Sequence, residues 1–120
     1  MSTKNPLISV IIPVYNHAHT LRRCLESVCD QIYRPLEVVV VNDGSTDNFE
    51  EVINKLQVLI RKLPNFQVIN QRNLGSPAAR NRGFQASQGD YVIFWDADTI
   101  AKPNMLEKML IHNFVLVGRK

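Results

Sequence analysis

The 120-residue sequence lacks any apolar run that approaches the ~20 residues of a membrane-spanning helix, and residues 1–6 do not resemble a signal peptide. Cysteine is scarce: only Cys24 and Cys29 occur, five positions apart in a segment with helical periodicity. That spacing points the two thiols in different directions, which argues against a disulfide or a metal-binding pair. We therefore expect two free thiols and a cytoplasmic location, with membrane association of a longer full-length protein left open.

An excess of charge of one sign is also missing, as are several well-known motifs. The net charge is only +3, with lysine and arginine scattered along the chain, so nucleic acid is not an expected partner. Neither a GxGxxG fingerprint nor a GxxxxGK[ST] loop occurs, which counts against dinucleotide-binding and P-loop proteins. No internal repeat or low-complexity segment is present. The length and the 45% apolar content indicate one globular domain or part of one.

Four short apolar runs alternate with segments of helical periodicity. The run of four consecutive valines, Val38–Val41, is typical of a strand that is buried on both faces of a parallel sheet. The first run is expected to stop at Pro13, because proline cannot continue a central ladder. The predicted strands are Leu7–Ile12, Leu36–Val41, Phe66–Ile69 and Tyr91–Trp95.

The segments between these strands are predicted to be helical. Asp47 with Glu50 resembles a capping box, and Ser76 with Pro77 resembles an N-cap followed by a first helical residue. The helices are predicted over Leu21–Val28, Asp47–Leu63 and Ser76–Ala86, with a last one that opens at Pro103. The order β-α-β-α-β-α-β-α predicts an α/β, Rossmann-like fold, in which a mostly parallel sheet carries helices on both faces.

The sharpest candidate site is Asp96-Ala97-Asp98, directly after the fourth predicted strand. Ligands of open α/β sheets bind beyond the carboxyl ends of the strands, so residues in this position are informative. Two carboxylates one residue apart suit Mn²⁺ or Mg²⁺, which prefer hard oxygen ligands. The alternative is an acidic loop that caps the helix opening at Pro103. The position after a buried strand favours the metal site.

Asp43 and Tyr15 follow the second and first predicted strands. An unpaired charge directly after a buried strand is costly, so we expect Asp43 to serve a ligand rather than the fold. Its carboxylate suits the N–H groups of a nucleobase edge. Tyr15 offers an aromatic ring for a base or ribose, and a simple packed tyrosine is the alternative. Asp47, in contrast, is interpreted as a helix cap.

The segment from Gly75 into the third predicted helix forms a further candidate site. A glycine loop that leads into a helix presents free N–H groups, which bind anions. Arg80, in the first turns of that helix, is placed to contact a phosphate or a nucleotide. Arg82 is interpreted as a solvated helix charge. The three histidines, His17, His19 and His112, lack ligand spacing with one another and are interpreted as surface residues.

Taken together, four segments of this sequence resemble the successive signatures of the family 2 glycosyltransferases, in the family's order. The segments are SVIIPVYN at 9–16, VNDGSTD at 41–47, GSPAARNRG at 75–83 and WDAD at 95–98. The resemblance runs from about Leu7 to Leu110. It implies the GT-A fold, a nucleotide-sugar donor (a UDP-sugar above all), Mn²⁺ or Mg²⁺, and a place in cell-wall or polysaccharide synthesis.

The resemblance also implies roles for single residues. It assigns nucleotide or donor binding to five of them: Pro13, Tyr15, Asp43, Arg80 and Asp96. The first three match positions that hold the base, Arg80 lies near the nucleotide, and Asp96 matches the carboxylate on the donor ribose or sugar. Asp98 matches the metal-binding carboxylate. Members of the family transfer the sugar with inversion, using a carboxylate base from the acceptor-side half of the domain.

That acceptor-side half is expected to be absent from this chain. Residues 1–120 are predicted to be the N-terminal, donor-binding part of a truncated glycosyltransferase domain, so no catalytic base is assigned. The chain alone is then expected to bind a donor without transferring sugar to a hydroxyl acceptor, whether glycan, lipid or another compound. A non-catalytic nucleotide-sugar-binding module is the alternative. Self-association is expected through an exposed sheet edge or the apolar tail Phe114–Val117.

Overall fold

The computed structural model describes residues 5–111 and the backbone of Val117–Gly118. The strands are β1 Ile8–Val14, β2 Leu36–Asp43, β3 Asn65–Gln71, β4 Tyr91–Phe94 and β5 Val117–Gly118. They form one sheet in the order β3-β2-β1-β4-β5, in which β1 to β4 are parallel and β5 is antiparallel to β4. The mostly parallel sheet is therefore confirmed. The predicted apolar tail, Phe114–Val117, lies outside the described residues except for the backbone of Val117.

The prediction that the first strand stops before Pro13 is wrong. β1 continues past this residue, and Pro13 pairs with β2 in the ladder. Alternate residues of a strand turn their backbone groups toward the same neighbour, and the carbonyl of Ile11 accepts the N–H of Trp95 on the β4 side. Pro13 faces that same side, where β4 has already ended, so its missing N–H removes no ladder hydrogen bond.

The helices in the described part of the chain are α1 Ala18–Cys29, α2 Phe49–Lys55, α3 Gln57–Ile60, α4 Ser76–Ala86 and α5 Met105–Ile111. None of them is long and apolar enough to cross a membrane. The single helix predicted over Asp47–Leu63 is wrong, since it divides at Leu56, whose backbone leaves the helical region (φ −98°, ψ 14°). This break lets the Leu56 side chain enter the core, where it is only 2% exposed.

Three predicted helix starts also need correction. Asp47 does not cap the helix that follows it, because Asn48 is the N-cap of α2 and makes no side-chain cap hydrogen bond. Gly75, with a φ of 101°, is the N-cap of α4, so Ser76 is the first helical residue rather than the cap. Pro103 does not open α5, which begins at Met105. The Pro103 carbonyl instead accepts the N–H of Ile32 in the loop after α1.

Helices cover both faces of the sheet, as predicted. One face buries the even-numbered residues of β1 against α1, α2, α3 and α5 in the larger core cluster. The other face buries Ile11, Val39, Val41 and Val92 against Ala79 of α4. β2 is buried along its whole length, in agreement with the uninterrupted valine run. The strand ends that carry the candidate site are thus held between two packed layers.

α4 lies unusually close to the sheet at Gly83. A Cβ atom built on Gly83 would lie 2.5 Å from the Cγ2 atom of Ile11 and 3.2 Å from that of Val41. Both neighbours are fully buried and cannot move aside without disturbing β1 and β2. The glycine therefore sets the distance between the helix and the sheet, and with it the position of the helix start at the candidate site.

Replacing Gly83 with alanine should destabilise the protein by about 1–3 kcal/mol, the usual cost of overpacking a core. In an exposed helix interior the same change would stabilise by up to ~1 kcal/mol, so the sign of the effect tests the close packing. The measurement is the free energy of unfolding in urea. Asn81→Ala, at an exposed position of the same helix, is the matched control and should stay within about 0.5 kcal/mol of the wild type. A Gly83→Ala variant as stable as the wild type would contradict this packing.

Candidate functional site

A cavity of about 450 Å³ opens at the carboxyl edge of the sheet. It is lined by residues at or just beyond the ends of β1, β2 and β3 and by the first turn of α4: Pro13, Tyr15, His17, Asp43, Asn73, Gly75, Ser76 and Ala79. The structure thus brings together three of the predicted donor-site residues, Pro13, Tyr15 and Asp43. Arg80, Asp96 and Asp98 do not line this cavity.

The loop after β1 is fixed by hydrogen bonds to the loop after β2. Asn16 has a positive φ of 56°, a conformation that asparagine tolerates better than most residues. Its side-chain oxygen accepts the backbone N–H of Thr46 at 2.8 Å, and its own N–H donates to the Ser45 hydroxyl at 3.0 Å. Tyr15, the preceding residue, is left 46% exposed at the mouth of the cavity. Its ring is therefore free to pack against a ligand.

Asp43, at the end of β2, is 3% exposed, and its carboxylate accepts three hydrogen bonds. The donors are the backbone N–H groups of Leu74 at 2.8 Å and Gly75 at 3.0 Å, and the side-chain amide of Gln71 at 2.9 Å. Burial raises the pKa of Asp43, but the hydrogen bonds outweigh it and hold that pKa below its ordinary value. The expectation that Asp43 serves only a ligand is wrong, because the carboxylate also anchors the loop after β3.

Gly44 allows that loop to approach β2 closely. Its φ is 71°, and a Cβ atom there would lie 2.5 Å from the backbone nitrogen of Asn73. The Asn73 side chain donates to the Asp43 carbonyl at 3.1 Å, which ties the two loops together from the other direction. Position 44 thus requires glycine, because a side chain there would collide with the backbone of Asn73 while the Asn73 side chain is bonded to Asp43.

Asp47 caps a helix, but not the one predicted. Its carboxylate accepts the backbone N–H of Ala18 at 3.0 Å, which is the first residue of α1. A carboxylate at a helix N-terminus satisfies a free donor and interacts favourably with the helix dipole. The loop after β2 therefore holds the start of α1, a contact between residues that are far apart in the sequence.

Asp96 and Asp98 lie in a β-turn directly after β4. The N–H of Thr99 donates to the carbonyl of Asp96 at 2.9 Å, with Ala97 and Asp98 as the central residues. Both carboxylates are exposed, and neither accepts a hydrogen bond from any residue the structure describes. The alternative of a helix-capping loop is not what forms, because α5 begins at Met105, seven positions after Asp98. Asp96 lines a separate cavity of about 190 Å³ beside Thr99.

Two side chains of α1 contact this acidic turn. The Thr20 hydroxyl donates to the carbonyl of Ala97 at 2.8 Å, and the Cys24 thiol donates to the carbonyl of Asp96 at 3.6 Å. Burial, followed by the charge of Asp98, raises the pKa of Cys24 to about 12, so the thiol keeps its proton and remains a donor. Both cysteines are free, as predicted.

The donor set of the acidic turn fits a hard divalent cation in part. Two carboxylates without protein partners leave their oxygens available as ligands. Between residues 5 and 111 no group of three or more His, Cys, Asp and Glu side chains is placed to hold an ion. Mn²⁺ or Mg²⁺ bound here would take its remaining ligands from phosphate oxygens and water, as Mg²⁺ commonly does. The assignment of Asp98 as the metal ligand stays a prediction.

Arg80 lies on an exposed part of α4, one turn after its start. It forms no ion pair with any residue that the structure describes. Its charge is therefore free for an anionic ligand, and its predicted role near the nucleotide stays a prediction. Arg82, two positions on, is also exposed, in agreement with its interpretation as a solvated helix charge.

His17 was missed by the sequence interpretation. It is half-buried at the cavity rather than a plain surface residue, and its ring stacks on that of His19 with centroids 5.7 Å apart. The His17 Nδ1 atom is buried and has no hydrogen-bond partner within the described residues. The sequence offers one indication of this location, because His17 lies two positions after Tyr15 in the loop that follows β1. His112 lies outside the described residues.

The depressed pKa of Asp43 leads to a prediction about stability and pH. Its contribution to folding is fully present above the unfolded pKa of about 3.9 and is lost as pH falls through the folded pKa. Asp43→Asn should therefore lower the free energy of unfolding at pH 7 by about 1–3 kcal/mol. The difference from the wild type should shrink below about pH 4.

Urea unfolding at pH 7, 4 and 3 measures this difference. Asp30→Asn is the matched control, because its exposed carboxylate accepts no hydrogen bond from the described residues. An Asp43→Asn variant with wild-type stability at pH 7 would show that the three hydrogen bonds do not hold the loop.

Solved structures with the same fold are glycosyltransferases. A mannosyltransferase from Pyrobaculum calidifontis, in complex with GDP-Man and Mn²⁺, matches with a TM-score of 0.82 and 27% identity, over 90% of this chain and 32% of that one. TarS 1–349 from S. aureus, in complex with UDP-GlcNAc, matches with a TM-score of 0.76 and 31% identity, over 87% of this chain and 30% of that one. The Rossmann-like sheet of this chain therefore has the GT-A fold.

Sequence comparison agrees with this fold. An uncharacterized glycosyltransferase of Escherichia coli, YibD, is 40% identical over 110 residues, which is 92% of this chain and 31% of that protein. The chain thus spans about a third of the length of this relative. The model of glycosyl transferase family 2 matches residues 9–112. The four signature segments and all the residues that line the cavity lie within that match, and the chain belongs to glycosyl transferase family 2.

Proposed function

We propose that this chain is the donor-binding part of an inverting glycosyltransferase that binds a nucleoside diphosphate sugar together with a divalent cation. The observation that carries the proposal is the shared location of the 450 Å³ cavity and the acidic turn at one edge of the sheet. A family 2 chain with this edge has a place for a nucleotide and a place for a cation. The related structures with GDP-Man and UDP-GlcNAc support the donor class.

The base of the nucleotide is assigned to the cavity. The exposed ring of Tyr15 offers a face for stacking, a contact that any base can make. Asp43 keeps acceptor capacity, because its Oδ2 atom accepts only the Gly75 N–H while Oδ1 accepts two bonds. A carboxylate can accept about four hydrogen bonds in all, so a base N–H can be added. Pro13 lines the same cavity.

The phosphates are assigned to the start of α4 and the acidic turn. The first N–H groups of a helix have no intrahelical acceptor and attract anions. The Gly75 N–H is taken by Asp43 and Pro77 has none, so the phosphate donor assigned here is the N–H of Ser76, which lines the cavity. Arg80 supplies a free positive charge one turn further on. Asp98, with Asp96 beside it, would hold Mn²⁺ or Mg²⁺, which neutralises a diphosphate and assists its departure. The donor we expect is a UDP-sugar.

Nucleotide binding should depend on the cation. In calorimetric titrations with UDP, GDP and ADP, we expect UDP to bind at least about ten-fold more tightly in Mn²⁺ than in EDTA. Asp98→Asn should weaken binding in Mn²⁺ by on the order of ten-fold, because a charged ligand is lost. Asp30→Asn, which removes an exposed carboxylate elsewhere on the chain, should leave the affinity unchanged. Equal UDP affinity in EDTA and in Mn²⁺ contradicts the metal assignment.

The chain by itself should bind donor without transferring sugar. Inverting transfer needs a carboxylate base for the acceptor hydroxyl, and general-base catalysis typically contributes ~10²–10⁴-fold. Among residues 5–111, Asp43 and Asp47 hold loops and Asp96 and Asp98 are assigned to the donor and the metal, so no carboxylate of this site is assigned as the base. We expect no UDP release above background when the purified chain is mixed with UDP-sugars and simple glycan acceptors.

Sustained turnover by the 120-residue chain would overturn this expectation. A longer natural protein that contains this chain and binds donor, yet transfers nothing to any acceptor, would favour the non-catalytic binding module.

We also propose that the chain self-associates through the edge strand β3. β3 pairs only with β2 within the described residues, and its other side is an unpaired row of backbone donors and acceptors. Light scattering over a range of concentrations should show dimers or larger species. Val68→Pro, which removes one backbone donor from this edge strand, should reduce association; a strict monomer at high concentration contradicts the proposal.

A further inference from the structure

We infer that the Thr20 hydroxyl is a positioning residue for the acidic turn, and that it sets the geometry of the Asp96 and Asp98 carboxylates toward a bound cation. This inference rests on the proposed function, because it concerns the metal site of that function. It adds a residue that lies outside the four signature segments. Thr20 is on α1 and is separated from the turn by more than seventy positions in the chain.

The contacts between α1 and the turn are direct. Thr20 Oγ1 donates to the Ala97 carbonyl at 2.8 Å, and one helical turn later Cys24 Sγ donates to the Asp96 carbonyl at 3.6 Å. Residues four apart lie on the same helix face, so both donors reach the turn together. Ala97, between the two carboxylates, is only 4% exposed. The backbone that carries both aspartates is therefore held at two successive carbonyls.

The hydroxyl has one proton, and the geometry indicates where it goes. Thr20 Oγ1 lies 3.1 Å from the carbonyl of His17 in its own helix and 2.8 Å from that of Ala97. The His17 carbonyl already accepts the backbone N–H of Thr20 at 3.1 Å. No other donor to the Ala97 carbonyl is found in the described part of the chain. We therefore place the hydroxyl proton on the shorter bond, to the Ala97 carbonyl. Loss of the hydroxyl would leave that carbonyl without a donor, whereas the His17 carbonyl would keep the Thr20 N–H.

α1 is in turn fixed relative to the nucleotide cavity. Its first N–H is held by the Asp47 carboxylate, in the loop that also carries Asp43. The first two turns of α1 therefore connect the two parts of the site. A hydrogen bond at Ala18 holds them to the loop after β2, and hydrogen bonds from Thr20 and Cys24 hold them to the acidic turn. A ligand that contacts the base cavity and a cation at the same time needs this spacing to be constant.

The test compares Thr20→Val, which removes the hydroxyl at nearly constant shape, with Thr20→Ser, which keeps it. The measured quantity is the ratio of UDP affinity in saturating Mn²⁺ to that in EDTA, from calorimetry. We expect Thr20→Val to lower this ratio by about 3- to 10-fold, the scale of one lost hydrogen bond, with affinity in EDTA unchanged. Thr20→Ser should retain the wild-type ratio.

Ser27→Ala is the matched control. The Ser27 hydroxyl donates to the Cys24 carbonyl at 3.0 Å, an internal hydrogen bond of the same helix with no contact to the turn. It should lower the melting temperature without changing the Mn²⁺-to-EDTA ratio. Cys24→Ala, which removes the weak S–H donor together with the buried sulfur atom, should lower the ratio about two-fold. This variant keeps the test open if Thr20→Val does not fold.

The outcomes separate the inference from the function on which it rests. If the wild-type chain binds UDP with a clear Mn²⁺ dependence and Thr20→Val keeps the same ratio, the positioning role is wrong and the proposed function stands. An equal fall in Ser27→Ala also overturns it, because a general loss of helix stability would then be the cause. If the wild type binds no UDP, or binds it without Mn²⁺ dependence, the proposed function itself fails.

Discussion

The candidate site depends on how the charge of Asp43 is satisfied at the end of a completely buried strand. β2 has no exposed residue, so its last carboxylate must find donors inside the protein or distort the strand end. It finds them in the backbone of Leu74 and Gly75, which brings the loop after β3 onto the end of β2. Because Gly75 is the N-cap of α4, the same bonds place the helix start at the cavity. The hydrogen bonds that satisfy Asp43 therefore also build one wall of the cavity.

A second constraint extends this arrangement to the acidic turn. Asp47 holds the start of α1, and α1 contacts the Asp96–Thr99 turn through Thr20 and Cys24. Parallel strand pairing alone brings the ends of β1, β2 and β4 to one edge. It does not fix how the loops beyond them are oriented. In this chain those orientations come from side chains that bridge loops, many of which are neither conspicuous nor charged in the sequence.

Much of the fold could be predicted because it follows from local patterns. The valine run of β2 and the apolar stripe of α1 mark elements whose burial is decided along the chain itself. The failures concern contacts between distant segments. Pro13 is tolerated because β4 has ended beside it, and Asp47 caps α1 rather than α2 because the loops are tied together. Neither β4 beside Pro13 nor α1 beside Asp47 can be identified from residues a few positions away. Patterns within the sequence therefore predict a local partner where the structure has a distant one.

Several of the signature residues divide into two sets according to whether the fold itself accounts for them. Asn16, Gly44, Asp47 and Gly83 are accounted for by loop hydrogen bonds, positive φ or close packing. Tyr15, Arg80, Asp96 and Asp98 are exposed and have no hydrogen-bond or ion-pair partner for their functional groups among residues 5–111. Asp43 alone belongs to both sets, with one acceptor position left over. The second set contains an aromatic ring, a cation and two carboxylates, which are the groups needed for a base, a phosphate and a divalent metal. That the fold leaves these side chains unused is the physical reason to assign them to a ligand.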